Sequence, residues 1–436
     1  MSPPVPKLSA PSFEVVHHTL DNGLRVVVAP DRTAPVVGIA VLYDVGMRSE
    51  PEGRTGFAHL FEHLMFQGSA NLEKLEHFRY VQSSGGTFNG STHVDYTNYF
   101  ESLPSNALER GLFLEADRMR SPRITEENLA NQLDVVKNEI RVNVLNRPYG
   151  GFPWIYLPAV LFDTFANSHN GYGGFEDLEN ATVDDARDFF KKYYAPANAV
   201  LAVSGDLDAD ETLTLIEKHF AGIARRRPPK RPNFAEPALH GERRDTHHDP
   251  HAPIPAVALG YRVPDPVGGL DEHLAHVLLT EILTDGDASR LQRRLVQRDH
   301  LVSDISAYIG EFGDPFDERD PTAMTISAHY ADAKALDTIL RVVDEELARI
   351  AEDGLDPGEL DRVRRRLAGV ILRDLDPVIS RTLEFAKFEL IYGRAEMVAE
   401  LPGLLDAVSE DAIRRAAAGL RPDRRAVLEL VAGGQR

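Results

Sequence analysis

The sequence predicts an α+β protein made of two homologous domains in tandem, each an antiparallel-rich sheet packed with helices. The chain has 436 residues, about twice the length of a typical domain, and hydrophobic residues make up 43% of it. Runs rich in β-branched and aromatic residues alternate with longer helical stretches. Segments 184–204 and 410–431 also share an acidic start, a proline and a closing apolar strand, at an offset close to 226 positions. We therefore expect two copies of one fold.

The first domain is expected at residues 13–224. It opens with a hairpin, because two β-rich runs flank Asn22-Gly23, a favoured tight-turn pair. Length and composition then distinguish strands from helices. We expect strands at 13–20, 24–29, 36–45 and 199–204, a strand pair within 84–101, and helices at 56–66, 105–120, 126–146 and 183–194.

Two further segments flank the first domain. Residues 1–12 are proline-rich and are expected to form a flexible tail. Residues 225–255 are expected to form a linker, because proline, arginine and histidine crowd there and apolar periodicity fades. The linker contains His247, His248 and His251. A metal role for them is conceivable, but a solvated tether is favoured.

The second domain is expected at residues 256–436. Its strands are expected at 257–263 and 426–431, and its helices within 270–297 and 355–372. It lacks the polar cluster that the first domain carries on helix 56–66, having Thr-Asp-Gly-Asp at 284–287 near the matching position. The halves are therefore expected to share a fold but not a chemistry.

Composition excludes several function classes. The net charge of −20 makes nucleic acid and anionic membranes poor partners. Cysteine is absent, so any metal site must use histidine, aspartate or glutamate. The N-terminus lacks the apolar core of a signal peptide, and no apolar run approaches the ~20 residues needed to span a bilayer. A soluble, cytoplasmic protein is the expectation.

The segment Gly56 to Phe66 reads GFAHLFEHLMF, a helix that is apolar almost all round and therefore buried. Its only polar side chains are His59, Glu62 and His63, which lie close to one face. Three buried polar groups without partners would cost several kcal/mol, at roughly 1–3 each. A divalent cation bound by both imidazoles, with the carboxylate beside it, removes most of that cost. The alternative is a pair of hydrogen-bonded core histidines beside a salt-bridged glutamate.

Catalytic zinc normally takes three protein ligands and water, so a further ligand is needed. Helix 126–146 has a stripe of Gln132, Val135, Glu139 and Val142, which indicates that Glu139 projects from an inward face. Glu115 and Glu127 stay open as competitors, because spacing alone does not exclude them.

These residues resemble a known family. His-Leu-Phe-Glu-His at 59–63 is the inverzincin order His-x-x-Glu-His, and Glu139 follows 76 positions after His63. Together they are similar to the pitrilysin/insulinase family of zinc metallopeptidases, in its bacterial short-chain subfamily. The likeness covers essentially the whole chain. It includes the segments 21–24, 84–86, 88–90, 95–99, 196–198, 204–206 and 289–291.

The resemblance implies a zinc-dependent endopeptidase that holds one Zn²⁺ per chain and forms half of a clamshell around peptide substrates. His59, His63 and Glu139 would be the metal ligands, and Glu62 would take the proton of the attacking water and deliver it to the leaving amine. The strand around Asn89 would receive the substrate backbone by β-addition. Asn89-Gly90 forming a simple turn is an equally weighted alternative.

Two departures from the family pattern matter. Gln132 stands where many members carry a second acidic residue, and it is expected to support the ligands by hydrogen bonding. Val296 and Ser303 stand where active members have an Arg and a Tyr that stabilise the oxyanion. We therefore expect a heterodimer whose homologous partner supplies both groups. Arg298 or Tyr308 acting in their place is the alternative.

Two other functions compete with peptide hydrolysis by such a pair. One is a non-catalytic scaffold of the same fold, and the other is a subunit that binds peptides without cutting them. Scaffolds of this kind usually lose the zinc residues, whereas the histidine pair, Glu62 and Glu139 all stand here. The enzyme is therefore favoured.

Overall fold

The computed structural model describes residues 11–433. Most of the segment expected to be a flexible tail, residues 1–10, lies outside the described residues. Within them, no helix combines the length and the apolar character needed to cross a membrane.

The structure has eleven described strands and fifteen described α-helices. The strands are β1 Val16–Thr19, β2 Arg25–Pro30, β3 Val36–Tyr43, β4 Thr87–Thr92, β5 Thr97–Pro104, β6 Ala199–Gly205, β7 Arg243–Asp249, β8 Ala256–Val263, β9 Asp304–Ile309, β10 Thr322–His329 and β11 Arg425–Ala432. The helices are α1 Phe57–Leu64, α2 Glu76–Ser83, α3 Leu108–Arg120, α4 Glu126–Ile140, α5 Leu157–Leu161, α6 Phe165–Ser168, α7 Phe175–Glu179, α8 Val183–Tyr193, α9 Ala209–Phe220, α10 Leu270–Thr284, α11 Leu336–Asp353, α12 Glu359–Asp374, α13 Val378–Tyr392, α14 Met397–Ala407 and α15 Glu410–Gly419.

Two of the expected long helices change geometry part-way. The helix expected at 126–146 is α-helical as α4 and continues as a π-helix over Arg141–Leu145. The helix expected at 270–297 ends at Thr284, and a separate π-helix covers Gln292–Arg298. The intervening Asp285-Gly286 ends α10, because Gly286 has a φ of +77° that favours glycine.

The first sheet has six strands in the order β1-β2-β6-β3-β5-β4. The β1–β2 hairpin turns at Asn22-Gly23, as expected; Gly23 has a φ of +90°, and the Asn22 side chain donates to the carbonyls of Phe220 and Ile223. The β2–β6 pair is parallel and the others are antiparallel. One edge of this sheet is β4.

The second sheet has five strands in the order β7-β11-β8-β10-β9. Its β7–β11 pair is parallel and the others are antiparallel, so its pattern repeats the first sheet without β1. A 3₁₀ turn at Pro196–Asn198 precedes β6, and another at Pro422–Arg424 precedes β11. The expected α+β architecture of two similar halves is confirmed.

The stretch expected to be a linker, 225–255, contains β7. This strand is polar and largely exposed, so its composition gives no apolar signal, but parallel pairing with β11 satisfies its backbone. His247 and His248 lie within β7, and the His247 ring stacks on Tyr156 at 3.9 Å between centroids. The second sheet therefore begins at Arg243 and not after residue 255.

The halves exchange helices across their sheets. The inner face of the first sheet packs against α1, α3 and α9, whereas α13 from the second half covers its other face. Gly38 on β3 allows this approach, since a Cβ there would lie 2.4 Å from Thr382 Oγ1. In return α5 from the first half packs its Leu157 and Leu161 side chains on the second sheet. Within the first half, the edge strand β4 and helix α1 contact each other directly.

Candidate metal centre

Helix α1 is fixed at its N-terminus by a buried carboxylate. Glu50 accepts hydrogen bonds from the backbone N–H groups of Gly56 and Ala58, at 2.8 and 2.7 Å. Anions are favoured at helix N-termini, where N–H groups lack intrahelical partners. The apolar side chains of α1 are buried: Phe57, Ala58, Leu60, Phe61 and Leu64. The helix is therefore anchored in the core, and its histidines are partly exposed.

The two histidines of α1 and a glutamate of α4 converge. His59 Nε2 lies 3.3 Å from His63 Nε2. Glu139 Oε2 lies 3.8 Å from His59 Nε2 and 3.4 Å from His63 Nε2. The three side chains are 14%, 20% and 29% exposed, so each is partly accessible to solvent. The structure thus brings together the three residues expected to be ligands.

Glu139 reaches this place from a face of α4 that differs from the expected stripe. Gln132 is buried, but Val135 is 42% exposed and Val142 is 56% exposed. The buried positions of α4 are Asn128, Leu129, Gln132, Val136 and Ile140. Glu139 borders this set and is partly exposed, because a 3.6-residue period places it beside Val136 and Ile140. The prediction that the face with Val135 and Val142 points inward is therefore wrong.

The two competing glutamates lie elsewhere. Glu127 is exposed in the first turn of α4. Glu115 is buried on α3 and forms an ion pair with Arg118. Neither belongs to the group formed by the histidines and Glu139.

Glu62 lies between the cluster of His59, His63 and Glu139 and strand β4. The Thr92 hydroxyl, at the end of β4, donates to Glu62 Oε2 at 2.7 Å. Gly90 leaves room beside it, since a Cβ on Gly90 would lie 3.3 Å from Glu62 Cγ. The main chain of β4 therefore runs close to this carboxylate.

Asn89 is exposed on β4, paired with Phe100 of β5, and Gly90 pairs with Tyr99. Both residues belong to a strand, so the alternative that they form a turn is wrong. In the order of the described strands β4 has β5 on one side only. An extended peptide could add at the other side.

Burial and neighbouring charges set the protonation of the group. Burial lowers the pKa of His59 to about 4, so its imidazole is neutral at pH 7 and offers a lone pair. Burial raises the pKa of Glu62, which favours proton uptake by this carboxylate. The hydrogen bond with His63 lowers the pKa of Glu139 and keeps it ionised.

Burial opposes protonation of His63, but hydrogen bonds to Glu139 and Gln132 and the charge of Glu62 outweigh it and raise the pKa of His63. Gln132 is only 5% exposed and its amide nitrogen donates to Asn131 at 2.8 Å. The amide carbonyl is thus available to the His63 ring, which is the contact expected of a residue that orients a ligand.

The donor set fits zinc. Two imidazoles and one carboxylate, with an open position, are a frequent ligand set for catalytic Zn²⁺. The possible ligand atoms of all three side chains lie within 4.8 Å of one another, a spacing that one cation can span.

A second buried cluster also has residue types that can bind a metal, but a neighbouring arginine and a protonated carboxyl already neutralise its charge. His77, Glu101 and Glu115 lie on three elements with possible ligand atoms within 4.8 Å of one another, and His77 Nε2 is 3.7 Å from Glu101 Oε2. Arg118 neutralises Glu115. Burial and the charge of Glu115 raise the pKa of Glu101 to about 8, and burial keeps His77 neutral by lowering its pKa. The group is therefore neutral at pH 7 with Glu101 protonated, whereas a divalent ion would leave net positive charge in the core.

Sequence reasoning missed two side chains of the site. Thr92 holds Glu62, and Tyr172, from the loop between α6 and α7, donates to Glu139 Oε1 at 3.0 Å. Neither stands in a periodic pattern, and Tyr172 is separated from Glu139 by 33 positions. The one signal in the sequence is that Tyr172 is flanked by glycines at 171, 173 and 174, a pattern typical of a loop with a defined backbone conformation.

The positions expected to lack the oxyanion donors lie around the start of β9. Val296 is on the π-helix Gln292–Arg298, and the Ser303 hydroxyl contacts Asp304 and the carbonyl of His329. Of the alternatives, Arg298 pairs with Asp299 at the surface, and burial raises the pKa of Tyr308 to about 12.

Two family models match the chain. Residues 25–148 match the model described as insulinase, peptidase family M16, and residues 180–367 match the model described as peptidase M16 inactive domain. Together these segments cover more than half of the 436 residues.

Curated relatives match over most of the chain. A zinc protease of Helicobacter pylori named PqqE is 33% identical over 296 residues, which are 65% of this chain and 64% of the relative. The matched part therefore spans somewhat less than two thirds of that relative. An uncharacterised zinc protease of Mycobacterium leprae is 26% identical over 93% of this chain and 89% of its own length.

Solved structures match with high overlap. A protease from Helicobacter pylori has a TM-score of 0.86 and 27% identity, covering 97% of this chain and all of that chain. The periplasmic protease PqqL from Escherichia coli has a TM-score of 0.76 at 19% identity, and the match covers 98% of this chain but 48% of that one. The latter likeness shows that the fold of this chain corresponds to about half of a longer molecule.

Proposed function

The chain belongs to peptidase family M16, and on that premise we propose that it is a zinc-dependent endopeptidase acting on peptides. The observation that carries the proposal is the convergence of His59 Nε2, His63 Nε2 and Glu139 Oε2 within 3.8 Å, with Glu62 beside them. Family relatives named as zinc proteases support the choice of metal. His59, His63 and Glu139 would hold one Zn²⁺ per chain.

A zinc ion bound there would supply Lewis acidity that polarises the scissile carbonyl and acidifies the attacking water. Glu62 takes the proton of that water. Thr92 holds Glu62 Oε2 through a 2.7 Å hydrogen bond, so Oε1 is the atom that accepts the proton and later gives it to the leaving amine. The raised pKa of Glu62 suits both transfers, because a carboxyl with an ordinary pKa holds a proton poorly at pH 7.

Strand β4 would bind the substrate backbone. Its free edge offers alternating N–H and C=O groups, and β-addition through them needs no particular side chain. Gly90 places this edge beside Glu62, so an added peptide would present its backbone to the catalytic carboxylate. Asn89, exposed on the same strand, would contact the peptide.

A homologous partner would complete the active site. Val296 and Ser303 cannot donate as Arg and Tyr do, and the match to about half of a longer protease is consistent with a second, similar half. We expect a heterodimer of two homologous chains enclosing the peptide, with this chain as the zinc-bearing subunit. A cytoplasmic location stays a prediction for cell fractionation to test.

The second candidate is a subunit of the same fold that binds peptides or acts as a scaffold without cutting. The vacant Arg and Tyr positions favour it, and so does the match of residues 180–367 to a model described as inactive. The intact set of His59, Glu62, His63 and Glu139 favours the enzyme.

The test uses the purified chain, alone and with its homologous partner, on quenched fluorescent peptides. We expect hydrolysis by the pair, weak or no hydrolysis by the single chain, and loss in Glu62→Gln with zinc retained. A chain that binds zinc while the reconstituted pair holds intact peptide for hours would support the binding subunit. A native chain without zinc would support the scaffold.

A further inference from the structure

Tyr172 lies on a loop whose backbone is fixed to the start of α1. The Gly174 N–H donates to Thr55 Oγ1 at 2.9 Å. Thr55 directly precedes Gly56, the N-cap residue of α1. Gly173 has a φ of +74°, and a Cβ there would lie 2.4 Å from the Thr55 carbonyl carbon. A Cβ on Gly56 would lie 2.5 Å from the Tyr172 carbonyl oxygen. The loop and the metal-bearing helix therefore share one close backbone contact.

The side chain of Tyr172 crosses from that contact to helix α4. Its hydroxyl donates to Glu139 Oε1 at 3.0 Å, while the Asn143 amide donates to the same hydroxyl at 3.4 Å. Because Asn143 can only donate through this nitrogen, the phenol proton is directed to the carboxylate. Asn143 is on the π-helical turn after Glu139, where a widened turn re-aims side chains.

The two oxygens of Glu139 thus have different partners. Oε1 accepts from Tyr172, and Oε2 faces both imidazoles. The Tyr172 ring also packs edge-on against His59, with centroids 5.1 Å apart at 85°. A single side chain therefore contacts the ligand residue of α4 and one ligand residue of α1.

We infer that Tyr172 is a positioning residue that holds the Glu139 carboxylate with Oε2 towards the two histidines. Without the hydroxyl the carboxylate is free to rotate about its terminal torsion, and either oxygen or both can turn to the ion. Hydrogen bonds that orient a ligand in this way are typically worth about 10–100-fold in metal affinity. The inference rests on the proposed function, since it requires a metal at this site.

The experiment compares Tyr172→Phe with wild type. Phenylalanine keeps the ring against His59 and removes only the hydroxyl. We expect zinc to bind about 10-fold or more weakly, measured by competition with a chelator of known affinity. We also expect the visible spectrum of the Co²⁺-loaded chain to change, because a freed carboxylate can bind through two oxygens and raise the coordination number. Neither readout depends on peptide hydrolysis.

A matched control separates this role from general loss of a phenol. Tyr149→Phe removes a hydroxyl that bonds to the Ile254 carbonyl at 2.9 Å, outside the metal centre. We expect it to leave zinc affinity and the Co²⁺ spectrum unchanged. Asn143→Ala should weaken zinc binding in the same direction as Tyr172→Phe, by less.

The outcomes distinguish the inference from the proposed function. Wild-type protein that binds no zinc overturns both. Wild-type protein that binds one zinc per chain, with Tyr172→Phe equal to it in affinity and spectrum, overturns the role of Tyr172 alone. An equal loss in Tyr149→Phe also overturns it, because the effect would then not come from the contact with Glu139.

Discussion

Glutamine substitutions at the two buried residues Glu101 and Glu115 should change the stability of the fold in opposite directions. Glu101 is fully buried, and its pKa is raised to about 8 from an ordinary 4.5. When the pKa of a carboxyl is higher in the folded protein than in the unfolded chain, the fold is most stable at pH values below the unfolded pKa. The stability falls as pH rises from the unfolded pKa to the folded pKa. At pH 7 the carboxyl of Glu101 is ionised in the unfolded chain and must take up a proton on folding. This costs about 3 kcal/mol, because pH 7 lies about 2.5 units above the ordinary pKa of 4.5.

Replacement of Glu101 by glutamine removes that cost. The amide is neutral at every pH and has the size of the protonated carboxyl. We expect Glu101→Gln to raise the unfolding temperature at pH 8 and to leave it nearly unchanged at pH 5. Glu115→Gln is the matched contrast, because it leaves the buried Arg118 cation without its carboxylate. That loss should destabilise the fold by about 3–5 kcal/mol at both pH values.

The assay is thermal unfolding of the three proteins at pH 5 and pH 8, with zinc counted in each. A fall in the Glu101→Gln unfolding temperature of equal size at both pH values would refute the protonation argument. Loss of a bound metal from Glu101→Gln would refute it in another way, since it would mean that His77, Glu101 and Glu115 hold an ion.

Three further predictions concern the site and its support. Thr92→Val should lower kcat of the reconstituted pair about 10-fold or more, because the hydrogen bond to Glu62 is lost without a change in side-chain shape. The zinc content should stay unchanged, and peptide kinetics together with zinc analysis of the variant checks both statements. Asp95→Asn should lower the free energy of unfolding by about 3–5 kcal/mol in urea melts, since it removes the carboxylate charge that pairs with the buried Arg48 at 2.9 Å. Gly56→Ala should lower both the stability of the fold and the zinc affinity, because the φ of Gly56 is +80° and the new Cβ would meet the Tyr172 carbonyl. The control is Gly222→Ala, which has open space around it and should change neither quantity in the same urea melts and zinc titrations.

The buried helix α1 could be predicted because its pattern is local. A segment that is apolar except for His59, Glu62 and His63 has few stable arrangements, and the structure has the apolar side chains in the core. The helical stripe makes Glu139 a candidate beside Glu115 and Glu127, and only the resemblance singles it out. The apolar stripe through Val135 faced solvent, so local pattern chose the wrong face of α4.

Features that depend on distant partners were beyond the sequence. Strand β7 is polar, and only its pairing with β11 makes it a strand. The packing of α13 on the first sheet depends on Gly38, whose role emerges only when Thr382 is placed above it. Tyr172 contacts Glu139 through a loop with no periodicity. In each case the deciding contact joins residues far apart in the chain, and a single sequence gives no signal for such pairs.

The most direct test of the zinc site is X-ray absorption at the zinc edge on the purified chain and on Glu139→Gln. Wild type should hold about one zinc per chain, bound by two imidazoles and oxygen ligands. Glu139→Gln should bind zinc much more weakly, with one oxygen ligand fewer or exchanged. Zinc bound with the same affinity and the same surroundings in both proteins, or by a set without two imidazoles, would contradict the account.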